Sequence, residues 1–281
     1  MVQLPLGGIV MPLLAGYMVP HPPIAVHEIG GGEELKITDT LNSFDEVARD
    51  IARIKPDTII LTSPHSIMYR DYFHISPGRE AAGDFSRFGA RNVRFNVSYD
   101  EELVREIESL CERECIPAGT EGERDPLLDH GTTVPLYFIN KRYTDYKLIR
   151  IGLSGLDLNT HFEFGKAIRK AIDKTGRRCV FVASGDLSHC QKEDGPYGFQ
   201  KEGPVYDEMI MKTMGEGDFG ALASYDPVLL DKAMECGHRS FTIMGGAFEG
   251  INFETKELSH EAIFGVGYGF CIYHPLPYTQ A

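Results

Sequence analysis

Short apolar segments alternate along this chain with longer amphipathic segments. An apolar run over residues 9–19 is followed by residues 38–54, whose apolar side chains recur at helical spacing and stop before Lys55-Pro56-Asp57. The next segment, Thr58 to Leu61, is continuously apolar, as expected of a strand covered on both faces. This succession predicts a β-α-β unit.

The same reasoning extends to the rest of the chain. It predicts helices over residues 101–115, 162–174, 205–214 and 227–234, and strands over 146–153, 178–183 and 262–273. Residues 77–92 are rich in glycine and aperiodic, which predicts a long loop, and Asp129-His130-Gly131 predicts a turn into an apolar run that ends at Ile139. We therefore predict an α/β fold, one domain over residues 1–281, with a mainly parallel or mixed sheet and helices on both faces.

Composition and charge narrow the class of protein. A chain of 281 residues with 42% hydrophobic residues can bury a large core. Its formal net charge of −13 disfavours nucleic acid and anionic membranes as partners, because both attract clustered lysine and arginine. The cysteines form no Cys-x-x-Cys motif, and no apolar run approaches the ~20 residues of a membrane span. We expect a soluble cytoplasmic protein with reduced thiols.

Four histidines lie at strand boundaries beside proline or glycine. His21 and His65 each follow a proline at the end of an apolar run, His189 follows the predicted strand over 178–183, and His130 precedes Gly131. Ligands of α/β sheets bind beyond the carboxyl ends of the strands, so these imidazoles are expected to converge in a metal or proton-transfer site. The histidines at 27, 74, 161, 260 and 274 lack this context. The alternatives are structural: a turn at His130, and a cap by Asp186 or Ser188 beside an incidental His189.

Two imidazoles bind a divalent metal weakly, so a third donor is expected. Glu235, Cys236 and His238 offer a carboxylate, a thiol and an imidazole within four residues. Two histidines with Glu235 would form the triad of non-haem Fe(II) oxygenases, whereas Cys236 would make a softer site that also suits zinc or copper. The composition of the segment does not choose between them, and a buried Cys236 beside a solvated Glu235 is the structural alternative.

At these residues the chain resembles the LigB-like superfamily of class III extradiol ring-cleavage dioxygenases. It is more closely similar to the Memo-like branch of that superfamily, known from the AmmeMemoRadiSam system, in which such a domain occurs alone or joined to a second domain that we expect to be absent here. The resemblance extends over nearly the whole chain, through Gly16–Pro23, Ser63–His65, Asp84–Gly89, Leu128–Leu136, Ala183–His189, Glu235–Ser240 and Phe264–Tyr268.

The resemblance implies a role for each candidate residue. It implies that His21 and His65 are metal ligands, that His189 is the acid/base histidine and that His130 lies near the substrate. Ring-cleaving members use a glutamate as third ligand. Memo-like members have a cysteine before a glycine, which corresponds to Cys236, while the adjacent Glu235 stays open. A thiolate ligand would put ring cleavage in doubt.

These implications lead to a functional expectation with two alternatives. The expectation is an Fe(II)-dependent dioxygenase-like enzyme that cleaves a small catechol-type aromatic substrate, with Asp186 orienting His189 and with segments 84–89 and 194–198 covering the site. One alternative is a non-catalytic, Memo-like metal- or peptide-binding component that works beside radical-SAM system proteins. The other is a zinc hydrolase in which His189 activates water. A homo-oligomer is compatible with each of them.

Overall fold

The computed structural model describes residues 2–3 and 9–277, and a six-stranded mixed sheet lies at its centre. The strands in chain order are β1 (Val2–Gln3), β2 (Ile9–Val10), β3 (Leu13–Val19), β4 (Thr58–Ser63), β5 (Phe73–His74), β6 (Glu80–Phe85), β7 (Ala90–Ser98), β8 (Ala118–Gly119), β9 (Lys147–Gly152), β10 (Cys179–Ser184), β11 (Phe253–Glu261) and β12 (Tyr268–Pro275). The central sheet has the order β11-β12-β3-β10-β4-β9. Strands β3, β10, β4 and β9 are parallel, and β12 pairs antiparallel with both β3 and β11.

Helices cover both faces of this sheet, as the sequence predicts. They are α1 (His27–Gly30), α2 (Thr38–Ile54), α3 (Glu101–Arg113), α4 (His130–Ile139), α5 (Leu158–Thr175), α6 (Glu202–Glu216), α7 (Pro227–Ala233) and α8 (His238–Phe248), with short 3-10 segments at Pro23–Ala25, Glu33–Lys36, Ser86–Phe88 and Phe219–Ser224. Side chains from α3, α5, α6 and α8 form one core, and side chains from α2 and α4 form the other. The predicted α/β class is confirmed.

The central strands are mainly apolar because each contributes to both cores. In β4, Ile60 packs into the core with α5, whereas Ile59 and Leu61 pack into the core with α2. Successive side chains of a strand point to opposite faces, so a strand buried on both faces is apolar at most of its successive positions. The predicted strands over 58–61, 146–153 and 178–183 therefore correspond closely to β4, β9 and β10.

The predicted loop over residues 77–92 is wrong, because most of it lies in a β-hairpin. Strands β6 and β7 pair antiparallel, and only the tip at residues 86–89 turns. In β6 the buried positions are Ala81, Gly83 and Phe85. A side chain at Gly83 would place its Cβ 2.8 Å from the Cβ of Leu128. The small inward residues are demanded by this close packing, and they hide the apolar alternation that would otherwise predict a strand.

Three further segments differ from expectation. Residues 129–131 form the start of helix α4 and not a turn, since the Asp129 side chain accepts a hydrogen bond from the backbone N–H of Thr132 as an N-cap. Strand β11 was not predicted at all, because it is an edge strand with many exposed polar side chains. The apolar run over 9–19 is divided, with Ile9–Val10 paired to Val2–Gln3 and the central strand beginning at Leu13.

Candidate metal centre

Three adjacent strands deliver the candidate residues to one edge of the sheet. β10 lies between β3 and β4 with parallel pairing on both sides. His21 is two residues beyond the end of β3, His65 is two residues beyond β4, and Asp186 is two residues beyond β10. Pro20 and Pro64 precede the two histidines and hold the backbone extended there. The convergence predicted from the strand boundaries is present in the fold.

Three donor atoms lie within metal-binding distance of one another. The Nε2 atoms of His21 and His65 are 3.0 Å apart, the Sγ of Cys236 is 3.6 Å from the Nε2 of His21, and the three atoms all lie within 4.8 Å. In a tetrahedral site with ordinary metal–ligand lengths, two nitrogens are about 3.3 Å apart and a nitrogen and a sulfur about 3.6 Å. Two imidazoles and a thiol at these separations fit a divalent transition metal.

Cys236 reaches the histidines through a close backbone contact. A Cβ on Gly185 would lie 2.0 Å from the Cα of Gly237, so the segment after β10 and the segment before α8 touch without side chains between them. The backbone N–H of Asp186 donates to the Cys236 Sγ at 3.3 Å, and the N–H of Cys236 donates to the Asp186 carbonyl at 3.4 Å. These contacts hold the thiol beside His21.

The tautomer of His21 is determined by a chain of hydrogen bonds that begins in helix α4. Pro135 has no N–H, so the carbonyl of Gly131, four residues earlier, lacks its usual helical donor. The Ser184 hydroxyl donates to that carbonyl at 2.6 Å and therefore accepts from the Nδ1–H of His21 at 3.0 Å. With Nδ1 protonated, the Nε2 of His21 presents its lone pair to His65 and Cys236, as a metal ligand must.

Both carboxylate oxygens of Asp186 lie close to His21. Its Oδ1 accepts from the backbone N–H of His21 at 2.8 Å, and its Oδ2 is 3.8 Å from the Nε2 of that ring. The expected partner of Asp186 was the ring of His189. The carbonyl oxygen of Met234 instead accepts from the Nδ1–H of His189, which leaves the other ring nitrogen of His189 free. Asp186, His189 and Cys236 nevertheless offer donor atoms within 4.8 Å of one another.

His130 lies against the other two imidazoles. Its ring stacks on that of His65 with centroids 3.9 Å apart, and the ring of Phe88 approaches its edge at 5.5 Å. Burial lowers the pKa of His130 to about 4, and it also lowers the pKa of His65 and, more strongly, that of His21. All three rings are neutral at pH 7, which is the form that binds metal.

Glu235 does not join the donor atoms. Its Oε2 accepts from the backbone N–H of His238 at 2.6 Å, at the first turn of α8. Burial raises the pKa of Glu235 and also that of the Cys236 thiol. The thiol is therefore protonated in the absence of metal and must lose its proton when a metal binds. Of the two neighbours between which the sequence does not choose, the structure groups Cys236 with the histidines.

A cleft of about 890 Å³ opens beside these residues and is lined by His65, His189, Cys236 and Arg239. Its walls also include the apolar side chains Leu156, Leu158, Tyr197, Tyr225, Pro227, Leu230 and Met234. The Tyr197 ring is 5.1 Å from that of His189, so Tyr197, from the segment 194–198 that is expected to cover the site, lies beside it. The sequence pattern does not identify Arg239 or the apolar residues of the cleft as part of the site. The local signal for Arg239 is its place in the five-residue segment Glu235–Arg239, which also holds the candidate third ligand.

Several histidines outside the site have acidic partners, although no partner is evident from the sequence around them. His27 pairs with Glu34 at 2.6 Å, and the rings of His260 and His274 each contact a carboxylate at 2.7 Å, that of Asp207 and that of Asp50. The last two pairs join segments distant in the chain, so the sequence does not reveal them.

Comparisons with known proteins follow the same line as the geometry. Residues 15–271 match the family model LigB, described as the catalytic LigB subunit of aromatic ring-opening dioxygenase. A protein of Clostridium acetobutylicum, CA_C1420, is 40% identical over 92% of this chain, which spans 57% of the length of that relative. A 2-aminophenol 1,6-dioxygenase beta subunit of a Pseudomonas species is 25% identical over 91% of this chain and 92% of its own.

A MEMO1 family protein of Methanocaldococcus jannaschii is 24% identical over 80% of this chain and 71% of its own. Among solved structures, that of the uncharacterized protein JW3007 from Escherichia coli K12 superposes with a TM-score of 0.62. It covers 93% of this chain and 99% of its own at 15% identity, which is a likeness of fold.

Within the described part of the chain, every helix is too short or too polar to cross a bilayer.

Proposed function

The chain belongs to the LigB family, and on this premise we propose that it is a metal-dependent dioxygenase that opens the ring of a small aromatic substrate. One observation carries the proposal: His21, His65 and Cys236 converge beyond the carboxyl ends of adjacent parallel strands, next to two further imidazoles and a cleft. Ligands of open α/β sheets bind at this position.

His21, His65 and Cys236 would hold the metal. When bound, Fe(II) would supply Lewis acidity and redox chemistry toward dioxygen. The ordered tautomer of His21 and the neutral state of both imidazoles prepare these donors before the metal arrives. Zinc and copper are the alternative metals, because the thiol of Cys236 is a soft ligand that suits both.

His189 would remove a proton from a substrate hydroxyl. Its Nδ1–H donates to the carbonyl of Met234, so the other ring nitrogen has a free lone pair in a residue that lines the cleft. His130 would serve as a neutral contact for the substrate, since its pKa of about 4 keeps it uncharged at neutral pH. The apolar walls of the cleft would exclude water and contact the aromatic ring.

A second candidate is a Memo-like metal- or peptide-binding component with little catalysis, working beside radical-SAM system proteins. The observation that favours it is the thiol: Cys236 stands with the histidines while Glu235 caps α8. The MEMO1 family relatives support the same branch. A zinc hydrolase is the third candidate and requires only a different metal.

Metal loading followed by oxygen uptake tests these candidates. The metal content of the protein as isolated would be measured, and the metal-free protein would be loaded anaerobically with Fe(II), Zn(II) or Cu(II). We expect Fe(II) protein to consume oxygen with catechol or 2-aminophenol, and zinc protein to consume none. His189→Ala protein loaded with Fe(II) is the matched control and should bind metal without turnover. Stoichiometric metal binding without oxygen uptake across the substrate panel would favour the binding component.

A further inference from the structure

We propose that Asp207, a carboxylate of helix α6 that His260 supports, is a positioning residue that holds the His189 ring in its Nδ1-protonated form. The value of this positioning for catalysis rests on the proposed function, whereas the positioning itself does not. Asp207 is only 1% exposed. A buried carboxylate is costly unless its oxygens accept hydrogen bonds, so the partners of Asp207 indicate what it does.

The Asp207 carboxylate has a partner on each oxygen. Its Oδ1 accepts from the backbone N–H of Ser188 at 2.9 Å, and its Oδ2 accepts from the Nε2–H of His260, on strand β11, at 2.7 Å. Ser188 directly precedes His189 in the chain. A hydrogen bond to an ionised carboxylate is roughly twice as strong as one between neutral groups. Asp207 therefore fixes the backbone immediately before the His189 imidazole.

Close backbone packing keeps the carboxylate against this segment. The N–H of Gly267 donates to the Ser188 carbonyl, and the Gly267 carbonyl accepts from the N–H of Leu187, both at 2.8 Å. A Cβ on Gly267 would lie 1.9 Å from the Oδ2 of Asp207. A side chain at position 267 would displace the carboxylate, so the glycine leaves the space that Asp207 occupies.

The same segment contacts the end of helix α7 and thereby orients the ring. The Ser188 hydroxyl and the N–H of His189 both donate to the carbonyl of Ala233, at 2.8 Å and 3.2 Å. The next carbonyl, that of Met234, accepts from the Nδ1–H of the His189 ring. The ring keeps this hydrogen bond only while the backbone of residues 188–189 stays against α7. By holding Ser188, Asp207 acts on the tautomer of His189.

The tautomer of His189 tests this role without metal or turnover. Two-bond ¹H–¹⁵N NMR spectra of metal-free, ¹⁵N-histidine-labelled protein at about pH 8 show which ring nitrogen carries the proton, and His189→Ala identifies the signals. We expect one Nδ1-protonated form in the unaltered protein and a mixture of both tautomers in Asp207→Ala. Asp207→Asn keeps an oxygen for the Ser188 N–H and should restore the single form. A mixture in the unaltered protein, or an unchanged spectrum in Asp207→Ala, would overturn the proposal.

Asp50→Ala is the matched control. Asp50 is likewise a buried carboxylate that lies 2.7 Å from the Nε2 of a strand histidine, His274, but its other neutral partner is Tyr17 of β3. This variant should leave His189 in a single tautomer. A mixture in Asp50→Ala equal to that in Asp207→Ala would indicate a general loosening of the fold and would count against the specific role of Asp207.

His260→Ala decides if Asp207→Ala does not fold. This milder variant frees the carboxylate of Asp207 to turn while its contact with Ser188 remains possible. A mixture of His189 tautomers in His260→Ala would support the proposal, and a spectrum identical to that of the unaltered protein would overturn it.

Kinetics of the Fe(II) protein separate this proposal from ring opening. Asp207→Ala should bind metal normally and lose about 10- to 100-fold in kcat for catechol, with KM changed less than threefold, because a misplaced base slows the reaction more than it weakens binding. If the unaltered protein turns over no substrate, ring opening fails while the spectra still decide on Asp207. An unchanged kcat beside a mixture of tautomers would remove His189 as the base and leave its positioning by Asp207 intact.

Discussion

Replacing Cys236 with serine should lower the affinity of the centre for its metal about a hundredfold. The thiolate is the metal-binding form of cysteine, whereas a serine hydroxyl stays protonated at neutral pH and is a weak ligand. Cys236 is one of three donors grouped in the structure, with its Sγ 3.6 Å from the Nε2 of His21. The remaining two imidazoles would bind a divalent ion only weakly.

The magnitude follows from the energetics of sites of this kind. Four-ligand zinc sites contribute roughly 10–16 kcal/mol in apparent binding free energy, which is about 3 kcal/mol for each ligand. A loss of about 3 kcal/mol corresponds to a factor of roughly 100 in the dissociation constant. Glu235→Gln should change the affinity less than threefold, because its amide oxygen can still accept from the backbone N–H of His238.

Competition with a chromophoric chelator would give the dissociation constants for Zn(II) and Co(II). The Co(II) protein should show a thiolate-to-metal charge-transfer band, and only Cys236→Ser should lose it. Thermal unfolding of each metal-free variant would show that the fold is intact. Unchanged affinity in Cys236→Ser together with a large loss in Glu235→Gln would refute the donor set and restore the carboxylate triad expected of a ring-cleaving oxygenase.

Three further predictions concern other residues. Ser184→Ala should weaken metal binding about 10- to 100-fold, because the imidazole of His21 loses the hydroxyl acceptor that sets its tautomer. Competition with the chromophoric chelator would measure this change. His189→Ala should retain the metal and lose roughly 10²- to 10⁴-fold in turnover, and loss of metal would make that ring a ligand. Burial alone would raise the pKa of Asp50, but hydrogen bonds from His274 and Tyr17 outweigh it and lower the pKa to about 2. The contribution of Asp50 to the free energy of unfolding in urea should therefore fall by about 2 kcal/mol as pH drops from about 4 to 2, so the acid decline of Asp50→Asn should be smaller by that amount.

Much of the site could be predicted from local sequence. Strands buried on both faces are continuous apolar runs, and the prolines after two of them mark where the chain leaves the sheet. The convergence of His21 and His65 follows from these features, since the carboxyl ends of parallel strands share one edge of the sheet. The helices α2, α3 and α5 were equally visible, because an amphipathic helix needs only its own periodicity and its stop signals.

The tertiary structure alone decided which of two neighbouring side chains points toward the histidines of the candidate metal centre. The sequence places Glu235 and Cys236 side by side, and the contact of Gly185 with Gly237 turns the thiol toward His21 while the carboxylate caps α8. The hydrogen bonds from Ser184 to Gly131 and His21 likewise join segments that no local pattern connects. Periodicity reports which face of an element is buried, whereas the direction of one side chain depends on backbone packing between residues about 50 positions apart, and that packing exists only in the folded chain.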